Sequence, residues 1–98
     1  MQAEMEEMTR QLAETPAAVV VANHAMGLFE LAALHLSQQP PNLPEATVAI
    51  DAMAALVEGL GGRFGPNEDT LKEALAQLRM AFVQIRAAEV AGGAPDGE

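Results

Sequence analysis

The sequence predicts an all-α protein, a small antiparallel helical bundle of three core helices preceded by an N-terminal amphipathic helix. The chain has 98 residues, enough for one domain with a thin core, and half of them are apolar. Only three residues are aromatic, all of them Phe, so the core must be built from aliphatic side chains and Met. Ala and Met favour helices over strands, and Pro and Gly divide the chain into four helical segments.

The first helix is predicted over about residues 2–14, where one stripe is apolar and the opposite face carries Glu and Arg. The stripe consists of Met1, Met5, Met8 and Leu12. A helix this short is marginal in water, so we expect it to dock on the core or on a second copy. Methionine adapts to irregular partners, which makes the stripe a candidate interaction surface, although core packing is its more common use.

The second helix is predicted from Thr15 as cap and Pro16 as first helical residue to about Ser37. It is apolar around most of its circumference and therefore needs cover on more than one side. Two neighbouring helices hardly supply that cover, which favours a homodimer. We add Met26 and Phe29 of this helix to the candidate interaction surface.

Residues 16–36 are also long and apolar enough to suggest a membrane span. The stretch nevertheless contains Asn, Glu and two His residues, and no basic residue flanks it. The first residues are acidic where a secretory signal is basic. We therefore expect a buried helix in a cytoplasmic protein without membrane association.

A proline-rich connector over residues 39–44 leads to the third helix, about residues 43–60, with Asn42 as its cap. Gly61 and Gly62 end this helix, and Gly65 caps the fourth, where Glu68 faces the free amides. Apolar faces are predicted for both helices, at Ala46, Ile50, Met53, Val57 and Leu60, and at Leu71, Leu75, Leu78, Phe82 and Ile85. The core domain spans residues 15–90, and residues 91–98 are predicted to be a disordered tail.

Asp51 and Arg79 each lie one position beyond a core residue of the third and fourth helices. In antiparallel helices these two side chains could meet at the rim of the core and fix the register. We predict a partly buried structural ion pair with no catalytic role.

The net charge of -9 argues against direct binding to nucleic acid and leaves a basic cytoplasmic protein as a possible partner. The chain has no Cys and no recognisable catalytic motif, so we predict neither an enzyme nor a cofactor. The favoured function is a non-catalytic protein–protein interaction module. The alternative is a small-ligand or metal binder that uses His24, Met26 and His35, although the two histidines lie about 16 Å apart along one helix, too far for one metal.

Two segments resemble the signatures of a bacterial domain-of-unknown-function family, number eighteen-forty-four: Ile50-Asp51-x-Met53 and Leu78-Arg79-Met80-Ala81-Phe82-Val83. The resemblance covers about residues 19–85, with an apolar helix, a Pro-containing linker and a Gly-containing turn in the family's order. Many relatives have a Lys-Gly-Asn-Leu-Thr type of turn where this chain has Gly-Gly-Arg-Phe-Gly-Pro. The resemblance implies a bacterial helical protein with a link to translation, and it implies no catalytic residue.

Overall fold

The computed structural model describes residues 1–93, and this part of the chain is all-α, as predicted. It contains α1 (Gln2–Glu14), α2 (Ala17–Leu36), α3 (Leu43–Gly59) and α4 (Glu68–Gly93). A short 3-10 turn, Gly65–Asn67, precedes α4, and residues 1–93 include no β-strand.

The core lies where α2, α3 and α4 pack on one another. Alanine dominates the buried positions of α2 and α3, which lets the two helix backbones approach closely. Larger apolar side chains from α4 and from the turn before it complete the core. The buried residues are Ala22, Ala25, Ala32, Leu36, Ala46, Ala49, Ile50, Met53, Ala54, Val57, Phe64, Leu71, Leu75 and Leu78.

The α1–α2 junction differs from the prediction. The Thr15 hydroxyl donates a hydrogen bond back to the Gln11 carbonyl at 2.8 Å, so Thr15 closes α1 and does not cap α2. Pro16 occupies the position before α2, which has no side-chain cap. Thr15 has an extended backbone, and its hydroxyl reaches the carbonyl one turn earlier, a common local alternative for Thr.

The α2–α3 connection follows the prediction at Asn42. The Asn42 side-chain oxygen accepts a hydrogen bond from the Glu45 amide at 3.3 Å and so caps α3. The Asn42 amide donates to the His35 carbonyl at 3.0 Å. One residue thus ties the start of α3 to the last turn of α2.

Glu68 organises the turn between α3 and α4. Its carboxylate accepts hydrogen bonds from the Gly62 amide at 2.9 Å and the Phe64 amide at 3.2 Å, and it pairs with Lys72 at 3.3 Å. The bond from Gly62 outweighs the opposing effect of desolvation and, with Phe64 and Lys72, holds the pKa of Glu68 below its ordinary value of 4.5. Gly62 has a φ of 87°, a conformation that favours glycine. Phe64 is thereby held in the core.

The fourth helix is longer than predicted. It continues to Gly93, so residues 91–93 of the predicted tail are helical. No proline interrupts the chain between Pro66 and Pro95, and Ala91 favours the helix. The rest of the predicted tail, residues 94–98, lies outside the described residues.

Candidate interaction surface

The methionine stripe of α1, defined as Met1, Met5, Met8 and Leu12, lies in solvent. Helix α1 buries none of its residues, and the main packing contacts are those among α2, α3, α4 and the short turn before α4. The exposed fraction of the stripe residues ranges from 62% at Leu12 to 91% at Met1. The stripe therefore does not dock on the core formed by the other helices of the described chain.

Acidic residues lie on α1 outside the methionine stripe. Helix α1 carries four Glu residues and one Arg. Arg10 pairs with Glu7, which also accepts a hydrogen bond from Gln11 at 3.1 Å. Glu4, Glu6 and Glu14 have no ion pair within the described part of the chain, so this helix presents an apolar stripe in a negative field.

Met26 and Phe29 do not belong to an exposed surface, which corrects the prediction. Both side chains are half-buried and pack against the core. They follow Ala22 and Ala25 by four residues, about one helical turn, and so share the face of α2 that is turned towards α3 and α4. Phe29 also lines an apolar groove of about 340 Å³ between α2 and α4.

A second exposed apolar surface lies on the side of α2 that is turned away from the core. We define the outer face of α2 as Val20, His24, Gly27, Leu31 and Leu34. The exposed fraction is 43% at Leu31 and 55% at Leu34. The residues recur at intervals of four, three, four and three, the spacing of helices packed lengthwise.

The residues of this outer face are absent from the predicted interaction surface, because α2 is apolar nearly all round and its pattern alone does not separate two faces. The sequence feature that could have indicated the outer face is the spacing of Val20, Gly27 and Leu34, which follow one another at intervals of seven residues and so lie on one side of the helix.

A concavity at the α1–α2 junction lies between the two exposed surfaces. Leu12 and Val20 line one concavity of about 570 Å³, together with the residues of the α1–α2 junction. The end of the methionine stripe thus lies beside the start of the outer face of α2.

Arg79 pairs with Glu58, and the prediction that it pairs with Asp51 is wrong. Arg79 Nη1 lies 3.1 Å from Glu58 Oε2, and these side chains are 50% and 61% exposed, so the pair lies in solvent. Glu58 follows Asp51 by two helical turns on the same side of α3 and has a longer side chain. Asp51 and Arg79 instead border an open groove of about 320 Å³ between α3 and α4, over Ile50 and Phe82.

The two histidines occupy different surroundings on α2. His24 is exposed, whereas His35 is half-buried and its Nδ1 has no hydrogen-bond partner. Within residues 1–92 no three His, Asp or Glu side chains are grouped so that they could hold a metal ion.

Helix α2 is long and apolar enough to cross a membrane, judged by length and composition alone. Only 17% of its most apolar 18-residue window is buried. The rest of the described chain therefore leaves much of this helix uncovered.

The chain matches no known protein family model, and it shows no significant similarity to a curated protein or to a solved structure.

Proposed function

We propose that this chain is a non-catalytic protein–protein interaction module, a cytoplasmic homodimer that binds a basic partner protein through the methionine stripe of α1. The single observation that carries the proposal is that all four residues of that stripe are at least 62% exposed. A folded helix that buries nothing in its own chain gains stability by contact with another molecule.

The charge of the surface favours a basic partner. The acids of α1 and the net charge of -9 accelerate encounters with positively charged proteins and repel nucleic acids. Lys and Arg on the rim of a partner groove would pair with Glu4, which flanks the stripe, while the methionines fill the groove. Glu6 and Glu14, on the opposite side of the helix, add to the long-range attraction.

We propose an antiparallel bundle for α2, α3 and α4. Glu58, near the end of α3, pairs with Arg79 in the middle of α4, while Thr47, near the start of α3, shares a groove with Val83, further along α4. These neighbours support opposite directions for the two helices. A connection of six residues between α2 and α3 supports the same relation for that pair.

We place the protein in the cytoplasm and treat α2 as a core helix. Ala22, Ala25, Ala32 and Leu36 of α2 are buried against its neighbours. Residues 11–62 contain no Lys or Arg, so α2 lacks the basic anchors that accompany helices at membranes.

The resemblance to family eighteen-forty-four, with its link to translation, stays part of this proposal. A basic partner is compatible with that link because many proteins that bind nucleic acid are basic.

A second candidate function is the binding of a small ligand or metal at His24, Met26 and His35. The observation in its favour is the buried Nδ1 of His35, which has no hydrogen-bond partner. Titration of the purified chain with Zn²⁺ tests it, and stoichiometric binding that His35→Ala abolishes would support it.

The main proposal is tested with the full chain as bait at low and at physiological salt. We expect a basic protein that also binds when purified, and whose affinity falls as salt rises. Replacing Met5 and Met8 by Glu should abolish this binding. The matched control, Gln2→Glu with Ala3→Glu, adds the same charge away from the stripe and should retain binding. Equal binding by both double variants, or no partner that rebinds in pure form, would contradict the proposal.

A further inference from the structure

Helix α2 has a core face and an outer face, and only the core face is covered. The core face packs on α3 and α4 through its alanines. On the opposite side Leu31 and Leu34 are about half exposed, and Val20 continues their row towards α1. A helix with apolar side chains on two opposite sides needs a cover on each of them.

Two apolar residues of the outer face lie symmetrically about Gly27. Val20 and Leu34 each lie seven residues, two helical turns, from this glycine. When two copies of a helix with this pattern pack antiparallel across a two-fold axis at Gly27, Val20 of one copy lies beside Leu34 of the other. The pairing occurs twice, and Leu31 of each copy lies beside His24 of the other, because Leu31 is four residues after Gly27 and His24 is three residues before it.

Gly27 also removes the main steric obstacle to such a crossing. A Cβ atom placed on Gly27 would have no atom within 4 Å, so the space above the residue is open. Without a side chain at the crossing point two helix backbones approach closely, and the flanking Val20 and Leu34 interdigitate.

We propose that the outer face of α2 binds the same face of a second copy of this chain, antiparallel and crossing at Gly27. The proposal rests on the homodimer proposed above and deepens it by locating the interface. It leaves the methionine stripe of α1 free for the basic partner.

The available area fits a reversible dimer. A specific interface buries about 1,000 Å² or more in total, and one face of a single helix with two half-exposed leucines supplies an area near that lower limit. We therefore expect dissociation at micromolar concentrations.

A lipid surface is the competing cover for an apolar helix face. The absence of Lys and Arg between residues 11 and 62 disfavours it, because peripheral helices depend on basic residues beside their apolar face. Binding to vesicles of phosphatidylcholine and phosphatidylglycerol is therefore included in the test.

The first experiment measures molar mass by light scattering over a dilution series. The full chain and a chain that begins at Thr15 should both be dimers that dissociate on dilution. Leu31→Glu with Leu34→Glu should be monomeric at every concentration. The control, Val48→Glu with Met80→Glu, changes apolar residues elsewhere that are still more exposed, and it should remain dimeric. Circular dichroism checks that both double variants are folded.

The second experiment uses cysteine cross-linking, which has no background because the chain has no Cys. Gly27→Cys should form a disulfide between copies. Val20→Cys and Leu34→Cys should not cross-link alone, because each residue lies about 21 Å from its own equivalent along the antiparallel pair. A mixture of the two should cross-link, and this pair tests the geometry even if a side chain at position 27 weakens the dimer.

The outcomes test the homodimer, the interface and the antiparallel direction separately. A full chain that is monomeric at all concentrations overturns the homodimer itself. A dimer that survives the Leu31 and Leu34 substitutions, or is lost in the chain from Thr15, keeps the homodimer and overturns this interface. Cross-linking of Val20→Cys alone overturns the antiparallel direction, and vesicle binding that requires Leu31 and Leu34 assigns the face to lipid.

Discussion

The replacement Met53→Ala is the sharpest test of the packing described above. Met53 lies on α3 with no solvent exposure and is one of the three largest fully buried side chains. Its removal takes away buried apolar surface and leaves a cavity that the two neighbouring helices, α2 and α4, can close only in part. Such substitutions cost about 2–5 kcal/mol, and we expect about 3 kcal/mol here because the neighbouring alanines have little side chain with which to fill the space.

That loss is large for a chain of this size. Native domains unfold with about 5–15 kcal/mol, so Met53→Ala should remove roughly a fifth to three fifths of the stability. The melting temperature should fall by about 12–24 °C, from about 4–8 °C per kcal/mol in domains of this length. Urea titration followed by circular dichroism measures the change, at one fixed protein concentration because dimerisation would add to stability.

Met80→Ala is the matched control, because it makes the same chemical change on α4 at a side chain that is 63% exposed. We expect a change within about 0.5 kcal/mol. If the two variants lose equal stability, or if Met53→Ala costs less than about 1 kcal/mol, then α3 does not pack as described.

Three further outcomes follow from the structure. Glu68 has a lowered pKa in the folded chain, so as pH falls the unfolded chain takes up the proton first. The stabilising effect of the ionised Glu68 carboxylate is therefore present above pH 4.5 and is lost as pH falls through the lowered pKa. The urea midpoint of Glu68→Gln should vary less with pH in that range than the midpoint of the unchanged chain. A double-mutant cycle of Glu58→Gln and Arg79→Met should give a coupling of about 0.2–0.5 kcal/mol because the pair is exposed, whereas Asp51→Asn should show none with Arg79→Met. Deleting residues 1–14 should leave the urea midpoint of the monomer unchanged within error, since α1 buries nothing; a clear loss would mean that it docks.

The fold class and most of the core were predictable because their signals are local. The 4-3-4-3 row on α4 correctly identified Leu71, Leu75 and Leu78 as core residues, and the Asn42 cap depends only on neighbouring backbone. Thr15 was misread because a Thr before Pro serves equally well to close one helix or to open the next. Only the backbone at the junction decides between these roles.

The Arg79 pair shows a limit of a different kind. Asp51 and Glu58 lie two turns apart on the same side of α3, and both point towards the helix that carries Arg79. The choice between them depends on how far α4 is shifted along α3 and on side-chain length. The residue spacing within α3 or α4 determines neither the shift between the helices nor the reach of each side chain. The sequence therefore predicts that Arg79 has an acidic partner on α3 but does not select between Asp51 and Glu58.

The candidate surface on α2 exists because this helix has apolar residues on more sides than its two neighbouring helices cover. Sequence pattern shows that α2 is apolar on more sides than a three-helix core can cover, but it does not show which side stays outside. The structure assigns Met26 and Phe29 to the inside and Leu31 and Leu34 to the outside, because the alanines of α2 select the side that approaches α3 most closely. Small residues thus fix the core face, and the larger side chains opposite them stay exposed. The equal spacing of Val20 and Leu34 from Gly27 on that exposed side is what favours a second copy of this chain as the proposed cover.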